Sequence, residues 1–305
     1  MAASNTDSLV RLGTAAAGEL PGATTAGPEG GIGALHHLNF CVTDYYHGMV
    51  FYSEGLGATF STAETAFDRG GLPVAWYSFG HQQQFHVVKA EEAQVLRGFV
   101  TLTVPSLDRL EARLRSVASE LAGTRFAFQA FPEDGDCPRS VTVRCPWGNA
   151  FHVLESAAGA GIQGVHFDCA KGESGLIADH FRRLFGAAVV TEDGVAKVGL
   201  GASFFAFQET GSLPAGFPKS LDHLHVAMFV EDFDAAFSSF EAAALLDTEH
   251  RFADKAYSLP AAHEHKQFRV RDVVAEDGRL VYQLELEVRS KSHPSFGKRL
   301  QARPL

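Results

Sequence analysis

The sequence repeats one pattern four times, and a repeat of this kind constrains the architecture more tightly than any single motif. Short apolar strands at residues 35–42, 98–104, 162–170 and 221–230 are each followed by a helix that opens on an acidic or serine residue. Their starts recur at intervals of roughly sixty residues, and a fixed period indicates stacked structural repeats. Three of the four strands carry a histidine at the equivalent place, and one carries a phenylalanine. The pattern predicts four similar modules that present histidines from matching positions.

Each repeat continues with three short strands after its helix, which gives every module the order βαβββ. The clearest helix, over residues 106–121, places Leu107, Leu110 and Leu114 at steps of three and four, so that one stripe faces a sheet. One such module leaves a face of its sheet uncovered, and modules must therefore pair. We predict an α+β fold in which four βαβββ modules pair into two cup-like half barrels with the helices outside.

The module boundaries predict two domains between terminal segments. Residues 35–156 would form an N-terminal domain from modules 1 and 2, and residues 162–290 a C-terminal domain from modules 3 and 4. Residues 1–34 are rich in alanine, glycine and threonine and lack the apolar core of a secretory signal. We expect them to form a disordered leader, and residues 291–305 to form a tail.

The composition is typical of a soluble globular protein, with 46% apolar and 20% charged residues. A net charge of −10 disfavours nucleic acid and anionic membrane as partners, since both attract basic patches. No apolar run reaches the length of about eighteen residues that a membrane span needs. The 4 cysteines show no C-x-x-C spacing, which favours reduced thiols and a cytoplasmic location.

Three fragments resemble motifs of the vicinal oxygen chelate superfamily, which includes glyoxalase I, fosfomycin-resistance transferases, bleomycin-binding proteins and extradiol ring-cleaving dioxygenases. Residues 51–57 are similar to the superfamily's FYxxxLG helix end, residues 146–152 to its DPxGNxxE strand entry, and residues 76–86 to one of its strand pairs. Together with the repeat, the resemblance covers residues 35–288. It implies glyoxalase-type half barrels, a divalent metal in a cup, and a small-molecule substrate.

In that superfamily the first and last strands of a module supply metal ligands, because alternate strand residues point to one face. Carried over residue by residue, the resemblance implies two ligand sets: His37, His86 and His152 in the N-terminal cup, and His166, His225 and Glu285 in the C-terminal cup. Two histidines and a carboxylate are typical of non-haem Fe(II) oxygenases, so Fe(II) is favoured, with Zn, Mn or Ni as alternatives. Glu287 and Tyr282 remain alternatives to Glu285.

Other residues near these positions are candidates for contacts with substrate. His81, in a turn of the first half, is a candidate proton shuttle. Cys41 should share the face of His37 by alternation. Asp168 and two phenylalanines, Phe205 and Phe229, are candidate substrate contacts of the second cup, and the phenylalanines would suit an aromatic or apolar ligand.

The resemblance favours a metal-dependent enzyme, and first a ring-cleaving dioxygenase of the extradiol type. One departure is the turn at residues 199–203, which lacks the acid–base histidine that the resemblance implies there. Two alternatives stay open: a non-oxidative lyase or isomerase of the glyoxalase type, and a binding protein without catalysis. Half barrels of this type often pair, so a homodimer also stays open.

Overall fold

The computed structural model describes residues 31–61, 74–135, 137–211, 213, 224–248 and 256–300. Residues 1–30 of the predicted leader and 301–305 of the predicted tail lie outside this description. Within it, helices and strands follow the predicted fourfold order, which confirms the α+β class built from four modules. None of the helices in these ranges has the length and hydropathy needed to span a bilayer.

Modules 1 and 2 contain strands β1 to β8 and two helices. Module 1 comprises β1 (Ile32–Val42), α1 (Tyr45–Gly48, continuing as a π-helix over Met49–Gly55), β2 (Thr59–Phe60), β3 (Val74–Phe79) and β4 (Gln83–Lys89). Module 2 comprises β5 (Gly98–Val104), α2 (Leu107–Val117), β6 (Ala127–Phe131), β7 (Ser140–Arg144) and β8 (Ala150–Glu155). Both helices begin at side-chain caps, because Asp44 accepts from the His47 N–H at 2.8 Å and Ser106 from the Arg109 N–H at 3.3 Å.

Modules 3 and 4 repeat this order with one departure. Module 3 comprises β9 (Gly161–Ala170), α3 (Ser174–Phe185), β10 (Val189–Glu192), β11 (Val195–Leu200) and β12 (Ser203–Thr210). Module 4 comprises β13 (His225–Val230), α4 (Phe233–Ala242), α5 (Leu259–His265), β14 (Gln267–Val274) and β15 (Leu280–Arg289). Helix α5 is the departure, because the other modules have a single helical segment. It begins because Ser258 caps its first turn and a proline follows at the start.

The strands form two sheets. The seven-stranded sheet has the order β14-β15-β13-β1-β4-β3-β2, and the eight-stranded sheet has the order β10-β11-β12-β9-β5-β8-β7-β6. Module 1 therefore contributes to the same sheet as module 4, and module 2 to the same sheet as module 3. The first strand of each module lies in the middle of a sheet. Three of these first strands carry predicted metal ligands.

The described chain divides into two compact units, which share two strands. Unit 1 holds residues 39–166 with 299–300, and unit 2 holds residues 31–38 with 167–298. Strand β1 passes from unit 2 to unit 1 after Leu38, and β9 passes from unit 1 to unit 2 after His166. The domain boundaries proposed from sequence, 35–156 and 162–290, stay a prediction.

One face of each sheet packs against helices through aromatic side chains. In unit 1, Phe151 of β8 lies 5.7 Å from Phe51 of α1, measured between ring centroids. In unit 2, Phe181 of α3 packs against Phe205 of β12 in the same eight-stranded sheet. In the seven-stranded sheet, Phe268 of β14 lies 5.3 Å from Phe237 of α4. Because strand residues alternate, the neighbours of these phenylalanines point to the opposite face, which we call the inner face.

Candidate metal centre

The strand order redistributes the six predicted metal ligands between the sheets. Strands of the seven-stranded sheet carry His37, His86, His225 and Glu285, and strands of the eight-stranded sheet carry His152 and His166. The structure therefore does not place His152 on the sheet of His37 and His86, or His166 on the sheet of His225. The physical reason is that β1 of module 1 pairs with β13 of module 4 rather than with a strand of module 2.

The strand registers in unit 2 place imidazole and charged side chains on one inner face. They define a row of His37, Ala227, Glu287 and Arg269, and beside it the directly paired residues His225 and Glu285. Paired residues of neighbouring strands point to the same face. Every residue of this row except Ala227 is polar, although each is buried.

Two imidazoles meet at the centre of this face. The Nε2 atom of His37 lies 3.1 Å from the Nε2 atom of His225, and the two side chains come from strands of different modules. Two ligands that each lie about 2.0–2.1 Å from one metal, at 90–110° to each other, stand about 2.9–3.4 Å apart. The observed separation falls in that range and therefore suits two ligands of one metal ion.

A hydrogen-bonded relay behind His37 determines which of its nitrogens faces His225. Arg289 Nη1 lies 3.2 Å from His36 Nδ1, and His36 Nδ1 lies 2.8 Å from His37 Nδ1. A guanidinium can only donate, so His36 Nδ1 accepts from Arg289, and it shares its single lone pair with the N–H of His37 Nδ1 in a three-centre hydrogen bond. His37 Nε2 then directs its lone pair at His225. A metal-binding histidine needs this tautomer, with its other nitrogen donating to a supporting group.

His36 and His225 are both neutral near pH 7. Burial, and then the charge of Arg289, lower the pKa of His36 to about 3. Burial also lowers the pKa of His225 to about 4, although Glu285 opposes this change. Neutral imidazole is the form that binds a metal, so His225 has no positive charge to lose before a metal binds.

The two glutamates of this face are held by arginines. Arg269 donates to Glu285 Oε1 and to Glu287 Oε2, at 2.7 Å in each case, and Arg289 donates to Glu287 Oε1. Burial alone would raise the pKa of Glu287, but Arg289 and Arg269 outweigh it and hold that pKa far below its usual range. Four buried charges thus balance one another, which lowers the cost of burying each.

The geometry discriminates among the three predicted carboxylate or phenol ligands. Glu285 Oε1 lies 3.8 Å from His225 Nδ1, and Glu287 Oε2 lies 3.8 Å from His225 Nε2, both beyond hydrogen-bonding distance. Tyr282 points to the other face, where its ring packs 5.5 Å from that of Phe207. Glu285 and Glu287 therefore remain on the face of His225, whereas Tyr282 belongs to the aromatic core.

In unit 1 the same strand β1 continues into a second polar contact. Asn39 follows His37 by two residues and donates to the backbone oxygen of His86 at 3.2 Å and to its Nδ1 at 3.1 Å. The His86 ring stacks on Trp76 with centroids 4.2 Å apart. Asn39 Oδ1 is buried and has no hydrogen-bond partner among the described residues, so it remains available to accept from a ligand.

The remaining predicted residues lie in different surroundings. His166 contacts Thr101 Oγ1 at 2.9 Å and stacks on Phe99, and both nitrogens of buried His152 lack a partner among the described residues. Cys41 is buried, and its N–H donates to Gln94. His81 is exposed in the turn between β3 and β4.

The predicted substrate contacts of the second half also divide between the two faces. Phe229 follows His225 by four residues, and its ring lies 5.4 Å from that of His36, so it borders the histidine pair. Phe205 packs in the aromatic core against Phe167 and Phe181, so it lies on the helix side and not in a cup as expected. Asp168 is half-buried on β9.

Comparison with solved structures shows similar folds at low sequence identity. A candidate dioxygenase from Bacillus subtilis subsp. subtilis str. 168 is similar over 87% of both chains, with a TM-score of 0.58 and 14% identity. Glyoxalase I from Zea mays is similar over 85% of this chain and 92% of that chain, with a TM-score of 0.54 and 11% identity. The chain has the fold of glyoxalase I. The fold predicted from sequence is thereby confirmed.

Comparisons at the level of sequence add nothing to this likeness. No protein-family model matches the chain, and no curated protein matches it. Proteins with one fold can perform different chemistries, so the function depends on the residues of the site.

Sequence reasoning missed two residues that build the centre. Arg269 holds both glutamates, and His36 fixes the tautomer of His37. A signal for Arg269 was present, because residues 284–288 alternate apolar and acidic, and buried carboxylates need a cation nearby. The role of His36 had no such signal. It depends on a register shift in β1 between Leu35 and His37, and alternation alone would point adjacent residues to opposite faces.

Proposed function

We propose that this protein is a metal-dependent enzyme that binds a divalent metal through His37 and His225 and acts on a small substrate with vicinal oxygens. The observation that carries the proposal is the 3.1 Å approach of the two Nε2 atoms, with the relay from Arg289 through His36 fixing the lone pair of His37. If the pair only stabilised the fold, neither the relay behind His37 nor a second neutral imidazole facing His37 would be needed. Two histidines leave room for further ligands, and Glu285 is the carboxylate opposite His225.

The chain's own residues have distinct tasks in this proposal. His36 and Arg289 keep the proton on His37 Nδ1, and Arg269 holds Glu285 and Glu287 in place. Phe229 supplies an apolar wall beside the pair. The metal, when bound, would polarise the substrate oxygens and lower the pKa of a coordinated hydroxyl.

A ring-cleaving dioxygenase of the extradiol type with Fe(II) is the leading reaction. Two histidines with a nearby carboxylate suit non-haem Fe(II), and Phe229 suits an aromatic substrate. The similarity to the candidate dioxygenase from Bacillus subtilis extends over 87% of both chains and supports the fold that this chemistry uses. His81 remains a proposed proton shuttle, although it lies in an exposed turn.

A non-oxidative lyase or isomerase is the second candidate, and the arginines favour it. Because Arg269 and Arg289 already pair with Glu285 and Glu287, the ligands that remain are mostly imidazoles, which Zn or Ni accept as readily as Fe. A binding protein without catalysis is the third candidate. We further propose a cytoplasmic location, no nucleic-acid or membrane partner, and an open choice between monomer and homodimer.

The test of function is an assay of the metal-loaded protein. Protein purified without oxygen and loaded with Fe(II) should consume O2 in the presence of a catechol, and His225→Ala should abolish this uptake. His263→Ala is the matched control, because His263 is a surface residue paired with Asp234. Turnover of catechol-like or vicinal-oxygen substrates without O2 uptake would favour the lyase. Stoichiometric metal without any turnover would overturn the enzyme proposal.

A further inference from the structure

The inner face of the eight-stranded sheet carries a second buried polar row, which is independent of the histidine pair. His152 of β8 is only 1% exposed, and neither of its ring nitrogens has a hydrogen-bond partner among the described residues. The hydroxyl of Thr142, on the neighbouring strand β7, also lacks a partner there. Leaving a buried donor or acceptor unpaired costs about 1–3 kcal/mol per group, so three such atoms together require an explanation.

The registers show that these atoms converge. His152 is directly paired with Thr142 on one side and with Thr101 on the other, and Thr101 contacts His166. Side chains at paired positions stand about 4.5–5.5 Å apart on the same face. The adjacent residue Phe151 packs against Phe51 of α1, which leaves His152 pointing to the inner face. The unpartnered atoms therefore share one region of that face.

The row also reaches the edge of the sheet. Thr142 pairs with Gln129 on the edge strand β6, and Gln129 is exposed. Polarity thus runs without a gap from solvent at β6 to His152 on β8. Such a row does not stabilise an apolar core. It does offer hydrogen-bonding groups to a ligand that enters from the edge of the sheet.

The chemistry of the row defines its ligand. His152 is neutral, because burial lowers its pKa to about 4, and a neutral imidazole offers one donor and one acceptor. Thr142 offers both as well. Neither side chain carries a charge, so they would not offset the desolvation of an ion. The group that can hold a metal among the described residues does not include His152.

We propose that His152 and Thr142 form a binding site for a small uncharged molecule that carries both a hydrogen-bond donor and an acceptor, such as a primary amide or an alcohol. The site is distinct from the pair of His37 and His225. Solvent water has the same donor and acceptor chemistry, and the test must separate an organic ligand from water.

Acetamide is a suitable probe, with acetate as its charged counterpart of similar size. Backbone amide resonances of β7 and β8 in the full chain report binding, in the wild type and in three variants. Thr142→Val removes one hydroxyl at constant shape, and His152→Phe removes both ring nitrogens. Thr103→Val is the matched control, because Thr103 follows Thr101 on the same face of β5 and bonds elsewhere, to the Gly161 oxygen at 3.5 Å.

Acetamide should shift these resonances in the wild type and saturate, whereas acetate should not. Thr142→Val and His152→Phe should each weaken acetamide binding at least tenfold, and Thr103→Val should leave it within twofold. His152→Phe should also melt at or above the wild-type temperature, because it removes unpaired polar atoms. Equal binding of acetamide by Thr142→Val and the wild type would overturn the proposal. Unchanged wild-type resonances would also overturn it and leave a bridging water as the occupant.

Discussion

His37 Nε2 and His225 Nε2 lie 3.1 Å apart although the two residues are 188 positions apart in the chain. Strand β1 brings one imidazole and β13 the other, and their antiparallel register aligns the two side chains on a single face. The relay from Arg289 through His36 makes this contact directional, since it leaves the lone pair of His37 facing His225. A metal ion could take the place of the proton that must otherwise lie between the two nitrogens.

His36→Phe should weaken metal binding without unfolding the protein. It removes the acceptor for His37 Nδ1–H, and loss of a supporting partner of this kind costs about 10–100-fold in metal affinity. His36→Gln should recover part of the affinity, because its amide oxygen can accept the same proton. Competition with a chromogenic chelator measures both constants. Equal affinity of His36→Phe and the wild type would show that the relay does not support the metal.

Arg269→Met should be strongly destabilising. It would leave the carboxylate of Glu285 buried without its cation, and breaking a buried pair in this way costs about 3–5 kcal/mol. Arg271→Met on the same strand is the control, because the Arg271 side chain is 49% exposed and surface substitutions change stability by about 0.5 kcal/mol or less. Denaturant unfolding monitored by circular dichroism compares the two. Similar midpoints for both variants would contradict the assigned role of Arg269.

Acidification should destabilise the protein through buried neutral histidines, with His180 as a clear case. The backbone N–H of Val274 donates to His180 Nδ1 at 3.1 Å, and burial lowers the pKa of His180 to about 4 from its ordinary value of 6.5. The unfolded chain therefore binds the proton first. Stability is full above pH 6.5 and falls by about 3 kcal/mol as the pH drops towards 4.

The variant His180→Leu isolates this contribution. Its free energy of unfolding should change less between pH 6.5 and 4 than that of the wild type, as measured by urea denaturation at each pH. Identical slopes would mean that His180 is protonated in the folded state as readily as in the unfolded chain.

Tyr282→Phe should leave the metal content unchanged. The Tyr282 ring packs against Phe167 and Phe207 on the helix side of its strand, away from the face that carries His225. Glu285→Gln is the contrasting variant, since Glu285 lies on that face. Elemental analysis of both proteins decides the matter, and loss of metal from Tyr282→Phe would restore the tyrosine as a ligand.

The modules could be predicted from sequence because their signals are local. Helix caps such as Asp44 and Ser106, and the stripe of Leu107, Leu110 and Leu114, are determined by neighbours within a few residues. The positions of His37 and His225 followed from alternation and from the resemblance. The glyoxalase fold was accordingly predictable from the sequence.

The grouping of the ligands could not be predicted in the same way. It depends on which modules share a sheet, and the pairing of β1 with β13 joins segments that no local pattern links. His152 and His37 occupy equally convincing positions in sequence, yet their strands belong to different sheets. The ion pair between Arg269 and Glu285 could not be predicted either, because it depends on the register between β14 and β15.

The most direct test of the central claim is the metal content per chain of protein purified without oxygen, for the wild type and five variants. His37→Ala and His225→Ala should lose the metal, whereas His152→Ala and His166→Ala should retain it. His86→Ala, measured alongside them, decides whether His86, the other histidine predicted on strands of module 1, also contributes to metal binding. Retention of metal by both His37→Ala and His225→Ala, or its loss from His152→Ala or His166→Ala, would contradict the assignment of the centre to the histidine pair.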